Sequence, residues 1–323
     1  MIDGLADVIE YGMFEKRAID PSALRGLQCD LFVSAYNASE RVGTVFAEVG
    51  AGVKHWVVHR EYQFDATTLP HIGQVFSPVG DEAEFWLDYL SATSMTGNLA
   101  GLDIVVDITG MLRPHVLTLL RVLQINLVHN VRMLYSEPHG YQKAEKTSFA
   151  LGAVSRVRQV RGYEGAHNTS TFDGDLLVIG TGYDDSLIRH VADSRALAKK
   201  LQLFGLPSLQ PQMYQENHLR VSEAAESLGV SSDRDWLFAP ANDPFATASV
   251  VQRAVRAEAG DPGVKNLYLS PLGTKPQVLG FGLFYLWECF GAAASAILPF
   301  SAGYTQESSI GLARVWEYRF DLP

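Results

Sequence analysis

Residues 266–288 read NLYLSPLGTKPQVLGFGLFYLWE. A short apolar run stops at Gly273-Thr274-Lys275-Pro276, and a longer apolar run follows at once. The first run lacks a two-residue alternation, which is how a strand buried on both faces of a parallel sheet reads. Pro276 suits the first turn of a helix, where its missing N–H costs nothing. The stretch is therefore strand, tight turn, helix. Gly273 lets the backbone approach a ligand or adopt φ > 0. The helix start presents backbone N–H groups with the dipole behind them, which makes an anion site. Lys275 puts positive charge where acids are usually preferred, so it either meets an anion or is a surface lysine at a turn.

The same arrangement occurs earlier in the chain. Residues 102–123, LDIVVDITGMLRPHVLTLLRVL, resemble residues 265–286, with Arg113 falling on Lys275 and Pro114 on Pro276. At the same spacing, VFSPVGDEAEFWLDYLSA from Val75 resembles LFAPANDPFATASVVQRA from Leu237. CDLFVSAYNASERV has a counterpart in GDLLVIGTGYDDSLI, VRMLYSEPHGY in AILPFSAGY, and SRVRQV in ARVWEY. Blocks repeated in one order point to an internal duplication. Within each half, short apolar strands alternate with helical patterns, which predicts an α/β fold of two tandem Rossmann-like, three-layer domains. The expected boundaries are 1–165 and 166–323. The second half carries an inserted helical segment near 206–234, either a lid, an interface or a surface ornament.

Composition narrows the class. Of 323 residues, 47% are hydrophobic and 19% charged, which is a globular rather than a disordered balance. Lys and Arg number 26 against 36 acids, a formal charge of −10, so a broad nucleic-acid surface is not expected. A small nucleotide in a local basic pocket is compatible with that charge. Cys29 and Cys289 form no Cys-x-x-Cys pair, so neither a thiolate metal site nor a disulfide framework is expected, and a reducing cytoplasm fits. The N-terminus has no apolar signal-peptide core. Val278–Phe300 carries only Glu288 as a charge, but GAAAS and Pro299 break it into helix, turn and strand rather than a membrane span.

Ligands of open α/β sheets sit beyond the carboxyl ends of the strands. The loops in that position supply Tyr36 and Asn37, then Thr109, Gly110 and Arg113, then Glu137, in the first half. In the second half they supply Gly182 and Tyr183, Asn242 and Asp243, then Gly273, Thr274 and Lys275. Tyr36 and Tyr183 could stack on bases or pack on a neighbouring loop. Asp243 reads equally as a helix N-cap before Pro244. Arg156 and Arg158 in SRVRQVR either hold phosphates or blunt an edge strand. His55 and His59 flank a strand at a spacing that gives no metal face, and no catalytic motif or dinucleotide fingerprint appears. No metal and no cofactor is implied.

The strand, the Gly-Thr-Lys turn and the apolar helix resemble the CRISPR-associated Rossmann-fold (CARF) domains, and two in one chain resemble the SAVED arrangement. Where those families have Gly-Thr and Thr-Gly in the turn, this chain has Met111-Leu112 and Pro271-Leu272. The resemblance implies a sensor of cyclic oligonucleotides in bacterial antiviral defence, with Arg113 and Lys275 meeting one anionic ligand and an effector or partner subunit receiving the signal. A homo-oligomer is compatible with it. Two other readings stand beside it. One is a nucleotide-processing hydrolase, a phosphodiesterase or glycosidic-bond enzyme, using Asp243, Glu137 and Lys275. The other is a non-catalytic partner subunit whose insert is its contact surface.

Overall fold

The computed structural model describes residues 4–141, 150–167, 174–229, 232–258, 264–304 and 309–323. From Phe14 the chain builds β1 (Glu15–Ile19), β2 (Gln28–Ala35), α1 (Glu40–Glu48), β3 (Gly50–Val57), β4 (Gln74–Phe76), α2 (Glu82–Ala92), β5 (Ile104–Asp107), α3 (Arg113–Ile125), β6 (Asn130–Glu137) and the short β7 (Gly140–Tyr141). It then forms β8 (Ala150–Gln159), β9 (Asp175–Gly180), α4 (Asp185–Ser194), β10 (Lys199–Gly205), α5 (Met213–Glu223), α6 (Ala225–Leu228), β11 (Trp236–Ala239) and α7 (Pro244–Glu258). Next come β12 (Asn266–Pro271), α8 (Lys275–Phe284), a π-helical turn over Tyr285–Cys289, β13 (Ala294–Tyr304), β14 (Ser309–Ile310) and β15 (Arg314–Asp321).

These elements make two larger sheets. One has the order β1-β15-β6-β5-β2-β3-β4, the other β11-β10-β9-β12-β13-β8. In the first, β4, β3, β2, β5 and β6 are parallel, and β15 runs antiparallel to both β6 and β1. In the second, β11, β10, β9, β12 and β13 are parallel. Numbered by appearance, the five parallel strands of each sheet lie in the order 3-2-1-4-5, the Rossmann order. The expected α/β fold with two Rossmann-like domains is what is found.

Each unit is assembled from two stretches of chain. One comprises Phe14–Leu151 with Ala302–Pro323, called here the N unit, and the other Met1–Met13 with Gly152–Ser301, the C unit. A single cut at 165/166 does not describe them. The reason lies in the sixth strands. β8 follows β6 in sequence yet lies beside β13, and β15 follows β13 yet lies beside β6. SRVRQV and ARVWEY, similar in sequence, thus hold matching places beside the fifth strands, each in the sheet of the other half.

Local sequence explains the elements. β9 and β12 are buried at every position, as strands covered on both faces must be. α1 buries Val42, Val45 and Phe46 at helical spacing, and these join Phe32, Trp56 and Val105 in the N unit core. A capping box starts α2: Asp81 accepts from the backbone N–H of Ala83 and Glu84, and Glu84 accepts from that of Asp81. Glu317, fully buried on β15, meets Arg17 at 2.5 Å, Arg132 at 3.0 Å and Arg319 at 3.2 Å. In the C unit, Glu288 is buried on the π-helical turn and accepts from Tyr11 Oη at 2.9 Å, Gln252 Nε2 at 2.5 Å and Arg256 Nη2 at 2.6 Å. The one charge in the long apolar stretch is thus paired inside the fold. No helix among the described residues is long and apolar enough to cross a membrane.

The connections between the second and third parallel strands differ between the units. The N unit joins β3 to β4 through 3-10 turns at Arg60–Tyr62 and Ala66–Thr68, whereas the C unit joins β10 to β11 through α5 and α6.

Candidate functional site

At the carboxyl edge of the C unit, β9 and β12 are the neighbours where strand order reverses, the place where such sheets bind ligands. The loop after β9 closes onto the loop after β12. A Cβ on Gly182 would lie 2.4 Å from the Leu272 carbonyl oxygen, so glycine is required there by a neighbouring backbone. Asn217, on α5 and 2% exposed, fastens this loop. Its Nδ2 donates to Gly182 O at 2.5 Å, and its Oδ1 lies 3.0 Å from Thr181 Oγ1. The insert is therefore built into this edge rather than attached to the surface.

The turn after β12 starts α8 as the sequence predicts. Thr274 is the N-cap and Lys275 the first helical residue, followed by Pro276. Gln277 completes a capping box: its backbone N–H donates to Thr274 Oγ1 at 3.4 Å, and its Oε1 accepts from Thr274 N at 3.2 Å. Thr274 Oγ1 also donates to Ala241 O, tying the turn to the loop after β11. A Cβ on Gly273 would sit 2.2 Å from Gln277 Oε1 and would displace the side chain that completes the capping box. Gln277 Nε2 is buried, makes no hydrogen bond, and lies 3.6 Å from the ideal Cβ position of Gly205 at the end of β10. Lys275 and Thr274 are half-buried, as are Asn242 and Tyr183 in the flanking loops. Asp243 accepts from the backbone N–H of Phe245 at 3.1 Å and Ala246 at 2.9 Å, so it caps α7.

The N unit edge has the same plan with other residues. Arg113 is the first residue of α3 with Pro114 second, in the position that Lys275 and Pro276 hold on α8. Leu112 provides no side-chain cap. A Cβ on Gly110 would lie 2.1 Å from Ala35 O, so the loops after β2 and β5 also close on each other. Thr109 is buried against Asp107, donating from its backbone N at 3.0 Å and from Oγ1 at 2.5 Å, and it accepts from Ser136 N at 2.9 Å. Burial pushes the Asp107 carboxyl above the usual range, against the opposing pull of its bonds to Thr109 and Ser34 and of Arg41. Asn37 accepts from Ser39 N at 2.7 Å. Tyr36 donates to Thr68 O at 2.8 Å, with its ring 5.5 Å from Trp56 and 4.7 Å from Phe64, so it packs on the neighbouring loop. Glu137 is buried and accepts from Trp316 Nε1 at 2.7 Å.

The predicted residues therefore fall into two groups. Gly182, Gly273, Thr274 and Lys275 gather at the carboxyl edge of the C unit, with Tyr183, Asn242 and Asp243 in the flanking loops. Tyr36, Asn37, Thr109, Gly110, Arg113 and Glu137 belong to the N unit. Arg158, on the edge strand β8, lays its guanidinium 3.6 Å from the Phe300 ring centroid, an edge-covering contact. Neither thiol is poised as a nucleophile: burial pushes Cys29 up to about 11 and Cys289 well above its ordinary value.

One grouping escapes the sequence reading. His59, just after β3, Glu61 in the following 3-10 turn and His115 on the first turn of α3 bring one ligand atom each to within 4.8 Å of one another. The spacing of His55 and His59 along a strand says nothing about this, because the third member comes from another element more than fifty residues on. Compared with family models, with curated proteins and with solved structures, the chain matches none.

Proposed function

We propose that the protein is a nucleotide-responsive binding module, with its principal anion-binding point at the start of α8. The observation that carries this reading is the buried Gln277 amide nitrogen. It makes no hydrogen bond, beside a helix start whose first residue is Lys275, at the carboxyl edge where the strand order reverses. A buried donor left unsatisfied costs free energy that an acceptor such as a phosphate or base oxygen would recover. The helix dipole and the lysine favour an anionic acceptor. Arg113 at the matching position of α3 supports a second anion point in the N unit, and the shared strand order supports an origin of the two units by duplication. The resemblance to CARF and SAVED domains supports cyclic oligonucleotides, in a bacterial antiviral setting, as the ligand class. The hydrolase reading loses ground, because Asp243 caps α7 and Glu137 is buried against Trp316.

The test is thermal unfolding of the full chain with a panel of mononucleotides, cyclic mononucleotides and cyclic oligonucleotides. At a ligand concentration 100 times Kd, stabilisation of about 2.7 kcal/mol is expected for the cognate ligand. Lys275→Ala should remove that shift while leaving the ligand-free midpoint near wild type. A flat response to every member of the panel sinks the proposal.

A further inference from the structure

We infer that His59, Glu61 and His115 form a binding site for one divalent transition metal of the zinc class. The site belongs to the N unit and is independent of the reading above, since it needs neither Lys275 nor a nucleotide.

Three features argue for it. The donor atoms already converge, with one imidazole nitrogen from each histidine and one carboxylate oxygen all within 4.8 Å of one another. A tetrahedral centre with bonds of about 2.0–2.2 Å holds its donors roughly 3.3 Å apart, so little closure is needed. Glu61 is the least buried of the three.

Second, the two loops that carry these residues are fixed to each other. Tyr62, next to Glu61, donates from its hydroxyl to Gly110 O at 2.9 Å, joining the 3-10 turn to the loop that opens α3. Trp86 Nε1 donates to His115 O at 3.1 Å. Phe85 is stacked on the His59 ring at 4.9 Å and meets His115 edge to face at 4.5 Å, so one side chain packs on both rings. The histidine ring centroids are 4.3 Å apart. Ligand geometry held by neighbouring groups in this way is what metal sites require.

Third, the residue types match a transition metal. His59 is 0% and His115 5% exposed. Two imidazoles and a carboxylate suit zinc, iron(II), cobalt or nickel rather than magnesium or calcium, which prefer oxygen alone. Three protein ligands leave a fourth position for water or a ligand atom. Arg60 Nε stands 3.8 Å from Glu61 Oε1, a long ion pair from an exposed arginine that a metal can outcompete.

The experiment uses untagged full-length protein stripped with a chelator. Zn²⁺ is titrated by calorimetry and Co²⁺ by its visible absorption, with Mg²⁺ as the control. One equivalent of Zn²⁺ and of Co²⁺ should bind, cobalt with the intense bands of a four-coordinate site, and Mg²⁺ should not. Glu61→Gln changes a half-buried turn residue and should keep the wild-type circular dichroism, yet weaken Zn²⁺ binding at least about tenfold, as loss of groups that hold a metal does. His115→Gln should abolish it. Absence of stoichiometric binding by the wild type overturns the assignment, and so does unchanged affinity in Glu61→Gln.

Discussion

Asn217 shows how much one side chain can do at this edge. It is buried on the inserted helix and bonds at once to Thr181 and Gly182, in the loop that faces the start of α8. Asn217→Ala removes the side-chain donor to the buried Gly182 carbonyl, while the Thr181 hydroxyl keeps its bond to Leu203 O at 2.9 Å, and should cost about 1–3 kcal/mol in a urea unfolding experiment. A change within the error of the measurement would show that the insert is not anchored there. Residue-scale reading of the sequence was most successful where the signal is local. Asp243 before Pro244 reads as an N-cap and is one. Gly110 and Gly182 stand among the candidate site residues, and in the structure each admits a carbonyl oxygen of the adjacent loop. Tyr36 likewise spends its ring and hydroxyl on neighbouring loops. These partners lie far away in sequence, and no local pattern announces them.

At the scale of elements, α8 is the clearest case of sequence and structure agreeing. Its apolar run and Pro276 predict a helix that starts at the turn and enters a buried layer; the helix is buried almost all round, and the Thr274–Gln277 capping box is what the structure adds. Thr274→Ala removes the cap and its bond to Ala241 O, and should cost about 0.5–2 kcal/mol. Equilibrium unfolding measures this directly, and an unchanged midpoint would mean that the box does not hold the helix start. The ten parallel strands were legible because each is a short apolar run between turn signals. The flanking strands were not. β1 reads EKRAI and β15 reads RVWEYRFD, with charges that match no buried-strand pattern. They form because Glu317 can be neutralised by Arg17, Arg132 and Arg319, a pairing that exists only once the sheet is assembled.

At the scale of the molecule, Glu317 also sets a dependence on pH. Burial alone would raise its carboxyl, but the bonds from Arg319, Arg132 and Arg17 outweigh burial and hold it below the usual range. Its stabilising contribution is therefore complete above the unfolded value, about 4.3, and is lost as pH falls through the lower folded value. The gap in stability between wild type and Glu317→Gln should be largest near neutrality and shrink on acidification. Urea midpoints at a series of pH values would reveal it, and a gap that widens in acid would refute it. The same strand governs how the N unit can be isolated. Residues 14–151 lack β15, which lies between β1 and β6 and joins them. Expressed alone, that fragment should show no cooperative unfolding transition, and fusing residues 302–323 to it should restore one. A cooperative transition in the bare fragment would show that β15 is dispensable.

The crossing of β8 and β15 into the sheets of the opposite halves has a consequence for heredity. A gene segment that encodes either unit whole does not exist as one uninterrupted piece. Recombination cannot lift the N unit out of this gene in one run without leaving β15 behind, whereas the six strands of the C unit, β8 to β13, are encoded in one run and only Met1–Met13 falls outside it. The N unit is therefore constrained to be transferred together with the strands of the C unit, which lie between its two stretches of chain.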